Sequence, residues 1–156
     1  MEHTKEFSED FEVAEIGLIY RNVTGLQGRP QINSSKTAYE LLLHCWNKDT
    51  LELQESFKVL LLNRSGKVLG IYEASQGSTC GTLVDTKLVL VAALRSAASS
   101  MILSHNHPSG SSVPSDADRQ LTKKLAAAAK LLDLRVLDHV IVTANGFFSF
   151  GDEGLL

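Results

Sequence analysis

Two histidines two positions apart, His105 and His107, precede a loop punctuated by Pro108, Gly110 and Pro114, and Ser115-Asp116-Ala117-Asp118 follows it. In extended backbone, side chains at i and i+2 point the same way, so both imidazoles can converge on one ion while Asn106 faces away. Ser115 is a natural N-cap, and a helix start folded back against the strand end delivers a carboxylate as third donor. Two neutral imidazoles and one carboxylate, with a fourth position open to water, make up a catalytic zinc site rather than a closed structural one. Asp116 and Asp118 would point about 200° apart on a helix, so only one can face the histidines. Each feature alone has a plainer explanation. Alternate residues of a strand often share an exposed face, and acids in a first turn complement the helix dipole with no metal.

The elements that must position these residues follow from apolar pattern and punctuation. Residues 1–10 are polar, carry His3, and read as a flexible terminus; residues 11–156 read as a single domain. Residues 11–23 are rich in β-branched and aromatic side chains and read as a strand before a Gly/Pro loop at 25–30. Ser34 or Ser35 caps an amphipathic helix over 36–47, with His44 a surface or boundary residue. The run 57–63, the turn through Gly66 and the run 68–75 read as a β-hairpin. Residues 86–100 read as a helix and 101–105 as a short strand. Ser115 opens a helix running to about Leu132, and strands at 136–144 and 147–150 close the chain around Asn145-Gly146. Strands and helices mix throughout, so the expected class is α/β or α+β, a mixed central sheet covered by helices.

Composition narrows the function classes. The net charge is −3 over 156 residues, and non-specific DNA binding is driven mainly by lysine and arginine, so strong DNA affinity is not expected. The Lys123-Lys124 pair reads as a solvated helix face. Cys45 and Cys80 have no paired spacing and the first residues lack a signal-peptide pattern, which makes a reducing cytoplasm the expected compartment. No apolar run approaches the roughly 20 residues that span a bilayer, since the richest, 88–101, is interrupted by Arg95 and serines.

The complete string is more specific than its parts. His105-x-His107-Pro108, seven residues between His107 and Ser115, then Ser115-x-x-Asp118 resembles the JAMM/MPN+ metalloprotease pattern. His105-Asn106-His107-Pro108-Ser109-Gly110 followed by Pro114-Ser115-x-x-Asp118 is similar to its RadC-like branch. The resemblance runs from Glu55 to Leu156, through Gly77, the helix before the histidines, the segment 137–142 and the ending at 147–154. It implies a cytidine-deaminase-like three-layer α/β/α architecture with Zn2+ on His105, His107 and Asp118. It implies Glu55 as general base, with Glu52 close enough to compete for that role. It matches Ser115 to a serine that steadies the oxyanion, although a capping hydroxyl is not free to do so. The implied substrate is a peptide or an isopeptide-linked protein, attacked by water made acidic by the metal. His139 matches a family position and reads as a hydrogen-bonded structural residue rather than a fourth ligand.

The chain also departs from that pattern. Full-length RadC-like proteins carry an N-terminal helix-hairpin-helix region, for which the first fifty residues here are too few and differently patterned. Asp85-Thr86-Lys87 stands where the family has a Pro-Arg pair. A nucleobase deaminase would need His-x-Glu and Pro-Cys-x-x-Cys, which are absent, and an HNH nuclease disperses its residues through a ββα unit. The remaining alternative is a DNA-repair-associated accessory or binding module in which zinc stabilises the fold and nothing is cleaved.

Overall fold

The computed structural model describes residue 25 and residues 28–77 and 83–156. The expected terminus at 1–10, the strand at 11–23, His3 and Cys80 lie outside the described residues. Among the described residues five strands form one sheet in the order β2-β1-β3-β4-β5. They are β1 (Ser56–Leu62), β2 (Val68–Gln76), β3 (Ser100–Asn106), β4 (Arg135–Thr143) and β5 (Gly146–Ser149). Only the β3–β4 pair is parallel; β1 runs antiparallel to both β2 and β3, and β5 antiparallel to β4. β1 and β3 are buried along their whole length, as expected for interior strands covered on both faces.

Helices cover both faces. α1 (Ser35–Cys45) starts at Ser34, whose hydroxyl accepts from the Thr37 amide while the Thr37 side chain reaches back, a reciprocal capping box. Ala38 and Leu42, four residues apart, press against Leu60, Leu62, Ile102, Val140 and Val142 on one face of the sheet. α2 (Thr86–Arg95) and α3 (Asp116–Lys130) cover the other face. There Val89, Ala93, Leu125 and Ala129 pack on Phe57, Val59, Leu61, Met101 and Leu103. Burying a leucine such as Leu42 or Leu103 stabilises by about 1.5–3 kcal/mol, so the two apolar layers hold the sheet in place. The expected class is borne out: a mixed sheet between helical layers.

One element is shorter than its pattern suggests. The apolar period of 86–100 predicts a helix to Ser100, but α2 ends at Arg95. Ala97 turns into the left-handed region at φ 53°, and the Ala98 amide closes on the Ala93 carbonyl at 3.0 Å. The Ser99 amide then donates to the Leu62 carbonyl at 2.8 Å, so pairing with β1 claims Ser99 and Ser100 before the helix can continue. At the other end of α2, Asp85 caps it by accepting from the Lys87 amide. No helix among the described residues is long and apolar enough to cross a membrane.

The topology brings distant residues to one end of the sheet. β3 runs through α3 into the parallel β4, so the end of β3 and the start of α3 meet. β1 is antiparallel to β3 with Phe57 opposite His105, so the residues preceding β1 arrive at the same end. Continuing that register by two residues sets Glu55 beside His107.

Candidate metal centre

Alternation along β3 decides which side chains reach the site. Met101, Leu103 and His105 face α2 and α3, while Ile102 faces α1. His105 is 1 % exposed, and Phe57 stacks parallel to its ring at 6.2 Å between centroids. His107 lies just past the strand, where its amide donates to the Val142 carbonyl at 3.1 Å. Asp118 is the third residue of α3, in a capping box with Ser115.

Three donor groups converge. His105 Nε2 and His107 Nε2 are 2.9 Å apart, and Asp118 Oδ1 lies 3.3 Å from His105 Nε2. Asp118 Oδ2 is 3.7 Å from His107 Nε2. A tetrahedral ion with ligands at about 2.0–2.1 Å requires donors roughly 3.3–3.4 Å apart, and the three separations bracket that value. Asp118 Oδ2 also accepts from the Ser115 amide and the Ser115 hydroxyl, each at 2.7 Å. That leaves Oδ1 as the less committed oxygen. Asp116, two residues earlier, is exposed and outside the cluster. His105, His107 and Asp118 are the group that could hold a metal among the described residues.

The hydrogen bonds behind the rings prepare them for a cation. The Thr122 hydroxyl donates to the Asp118 carbonyl at 2.6 Å, so its oxygen must accept from His139 Nδ1, also at 2.6 Å. His139 is fully buried, and burial first, then the charge that His105 carries when protonated, pushes its pKa well below the ordinary histidine value. Neutral His139, protonated at Nδ1, presents a lone pair at Nε2 to His105 Nδ1, 2.8 Å away. His105 therefore carries its proton on Nδ1 and leaves Nε2 bare. His107 reaches the same state separately, because its Nδ1 faces the Ser111 carbonyl at 2.7 Å and must donate. Two lone pairs and a carboxylate thus face one another, an arrangement that repels itself until a cation enters. Nitrogen-15 shifts of the three rings report these tautomers directly.

In the absence of metal a proton fills that role. The His107 pKa is raised above its ordinary value, chiefly by its hydrogen bond to Asp118, with burial opposing and the Ser111 carbonyl assisting. Burial pushes the Asp118 carboxyl up, but once the rings are protonated, hydrogen bonds from His105, His107 and Ser115 and the charge of His105 outweigh it and hold the group far below the carboxylate range. A group whose pKa is raised keeps its proton to higher pH, so a metal held by His107 Nε2 would compete with that proton as pH falls. Below the raised value, metal affinity is expected to drop by about tenfold per pH unit for one displaced proton, with onset above the ~6.5 reference. Competition titrations between pH 6 and pH 8 check this, and a flat profile removes His107 from the donor set.

An open cleft of about 310 Å³ borders the cluster, lined by Glu55, His107, Pro108, Ser109, Ser111 and Val113. Glu55 is half-buried there, and its charge contributes to the rise in the His107 pKa. Glu52 is exposed and does not line the cleft. A larger cavity of about 690 Å³ lies at the start of β3 and β4, between 97–99 and 132–135, far from any donor cluster. The Ser115 hydroxyl accepts from the Asp118 amide at 3.2 Å and gives its proton to Asp118 Oδ2. It steadies the carboxylate, and a role at an oxyanion would require that bond to be released. His139 sits behind His105 rather than in the cluster, and His44 lies on α1, outside it. Sequence reasoning passed over Thr122, although its place one turn beyond Asp118 on an amphipathic helix was a usable signal.

Comparison with known proteins gives the same region a family context. A family model described as RadC-like JAB domain matches residues 32–155. A protein of Flavobacterium johnsoniae named UPF0758 protein is 42 % identical over 125 residues, covering 80 % of this chain and 53 % of its own length. A UPF0758 protein of Porphyromonas gingivalis is 47 % identical over 104 residues, covering 66 % of this chain and 46 % of its own length. The chain spans about half the length of the curated relatives it matches.

Proposed function

The chain belongs to the RadC-like JAB domain family, and from that membership and its converged donors we propose a zinc-dependent metallohydrolase of the metalloprotease or isopeptidase type. Family membership is compatible with hydrolysis, while the relatives' names assign no activity. The observation that carries the reading is the convergence of His105, His107 and Asp118 beside a cleft whose lining includes Glu55. Zinc, when bound, supplies a Lewis acid that polarises a carbonyl and makes water acidic enough to lose a proton near neutral pH.

The remaining work falls to the chain's own groups. The Glu55 carboxylate takes a proton from the attacking water and passes it to the leaving amine nitrogen. The Ser115 amide and hydroxyl keep Asp118 turned toward the histidines. Thr122 and His139 hold His105 in the Nδ1-protonated tautomer. The half-buried Glu55, rather than exposed Glu52, supports the first assignment as base. The proposed substrate is a peptide or isopeptide-linked protein segment laid across the cleft beside Pro108 and Val113.

The test is cleavage of a panel of peptides and isopeptide-linked conjugates by the zinc-loaded protein, with and without chelator. Chelator-sensitive cleavage restored by zinc is expected. Absence of cleavage across the panel despite a filled site, together with salt-dependent DNA affinity, would favour a DNA-repair-associated accessory module instead.

A further inference from the structure

Asn106 stands between the two histidine donors, and strand alternation turns it to the opposite face of the sheet. It is completely buried. Its Oδ1 accepts from the Ser56 amide at 2.7 Å, and its Nδ2 donates to the Leu51 carbonyl at 2.6 Å and the Gln54 carbonyl at 2.9 Å. An amide N–H can only donate and a carbonyl can only accept, so this orientation of the side chain is the one that satisfies all three groups. The partners lie some fifty residues away in the chain.

Two of these bonds grip the peptide units on either side of one residue. The Gln54 carbonyl belongs to the peptide preceding the Cα of Glu55, and the Ser56 amide to the peptide following it. The Gly77 amide, donating to the Glu55 carbonyl at 2.7 Å, holds the second of these units from the other side. With both flanking peptides pinned, φ and ψ of Glu55 are fixed, and with them the direction in which its side chain leaves the backbone. That direction is into the cleft shared with His107. The strand that presents two donors on one face therefore sets the carboxylate from its other face.

We infer that Asn106 is a positioning residue for Glu55, tying the placement of the base to the strand that carries the metal donors. This rests on the hydrolase reading for its catalytic consequence, but not for the placement itself. Asn106→Asp keeps the acceptor toward Ser56 and replaces the donor with an oxygen facing two carbonyls. Asn106→Ala removes all three bonds without burying a charge, and is the milder change should the aspartate variant fold poorly.

The experiment compares both variants with the parent protein, zinc-loaded, by three readouts. Amide exchange at Ser56 and Gly77 is expected to quicken about tenfold or more relative to Leu60 in the middle of β1. The Glu55 carboxyl carbon resonance is expected to shift or broaden, with zinc stoichiometry unchanged. On a cleaved substrate kcat is expected to fall about 10- to 100-fold with KM little altered, and that loss is expected to vanish in a Glu55→Gln background. Unchanged exchange and an unchanged Glu55 resonance overturn the inference, whether or not a substrate is found. A kcat loss that simply adds to that of Glu55→Gln also overturns it. Failure of all substrates with altered exchange and resonance counts against the hydrolase reading and leaves the positioning role supported.

Discussion

Glu55→Gln is expected to lower kcat by about 10²–10⁴-fold while zinc content and thermal stability stay near those of the parent. The carboxylate lies beside the donor cluster rather than in it, so removing its charge takes away a proton acceptor and no ligand. Glutamine preserves size, and the three backbone bonds around residue 55 involve no side-chain atom of Glu55. Substrate binding should be largely retained, so the loss appears in kcat more than in KM. Glu52→Gln is the control and should leave turnover within a factor of about two, since that side chain is exposed and away from the cleft. Full turnover in Glu55→Gln would remove it from the mechanism.

His105→Ala or His107→Ala is expected to abolish tight zinc binding, and Asp118→Asn to weaken it sharply, while Asp116→Asn leaves it unchanged. The contrast between the two aspartates is the sharper test. Both lie in the first turn of α3, but Asp118 alone of the two lies with the histidines. An asparagine at 118 retains a neutral oxygen and loses the charge that offsets the cation. Metal analysis and competition titration measure the outcome, and equal losses at the two positions would mean that α3 starts in another register. Asp118 is also half of the capping box, so its replacement should cost about 1 kcal/mol of helix stability apart from the metal. Melting without metal separates the two effects.

Much of this arrangement is legible in the amino-acid sequence. The runs 57–63 and 101–105 read as strands, and Ser34 or Ser35 and Ser115 announce helix starts by their chemistry, the structure taking Ser34 as the first cap. The spacing of His105 and His107 implies a shared direction on extended chain, and the turn geometry of α3 separates Asp118 from Asp116. Other features depend on partners far along the chain. Alternation says that Asn106 faces away from the histidines, but not that it meets carbonyls at 51 and 54. The chain from Thr122 through His139 to His105 joins three elements, and no local pattern encodes it. The choice between Glu55 and Glu52 needs the register of β1 on β3. The end of α2 escaped because pairing with β1 overrides a helical period that continues to Ser100.

The donors and the carboxylate enter the site from different stretches of chain. β3, the loop after it, α3 and β4 form one continuous segment that contains His105, His107, Asp118, Thr122 and His139. Glu55 immediately precedes β1 and, among the described residues, joins them through sheet pairing and the Asn106 side chain. On the proposed hydrolase reading, metal capture and proton transfer therefore rest on separate stretches of the chain. On that reading a substitution confined to Glu55 would remove the base and leave the three donors in place, so an enzyme and an inert metal-bearing scaffold would differ by a single side chain.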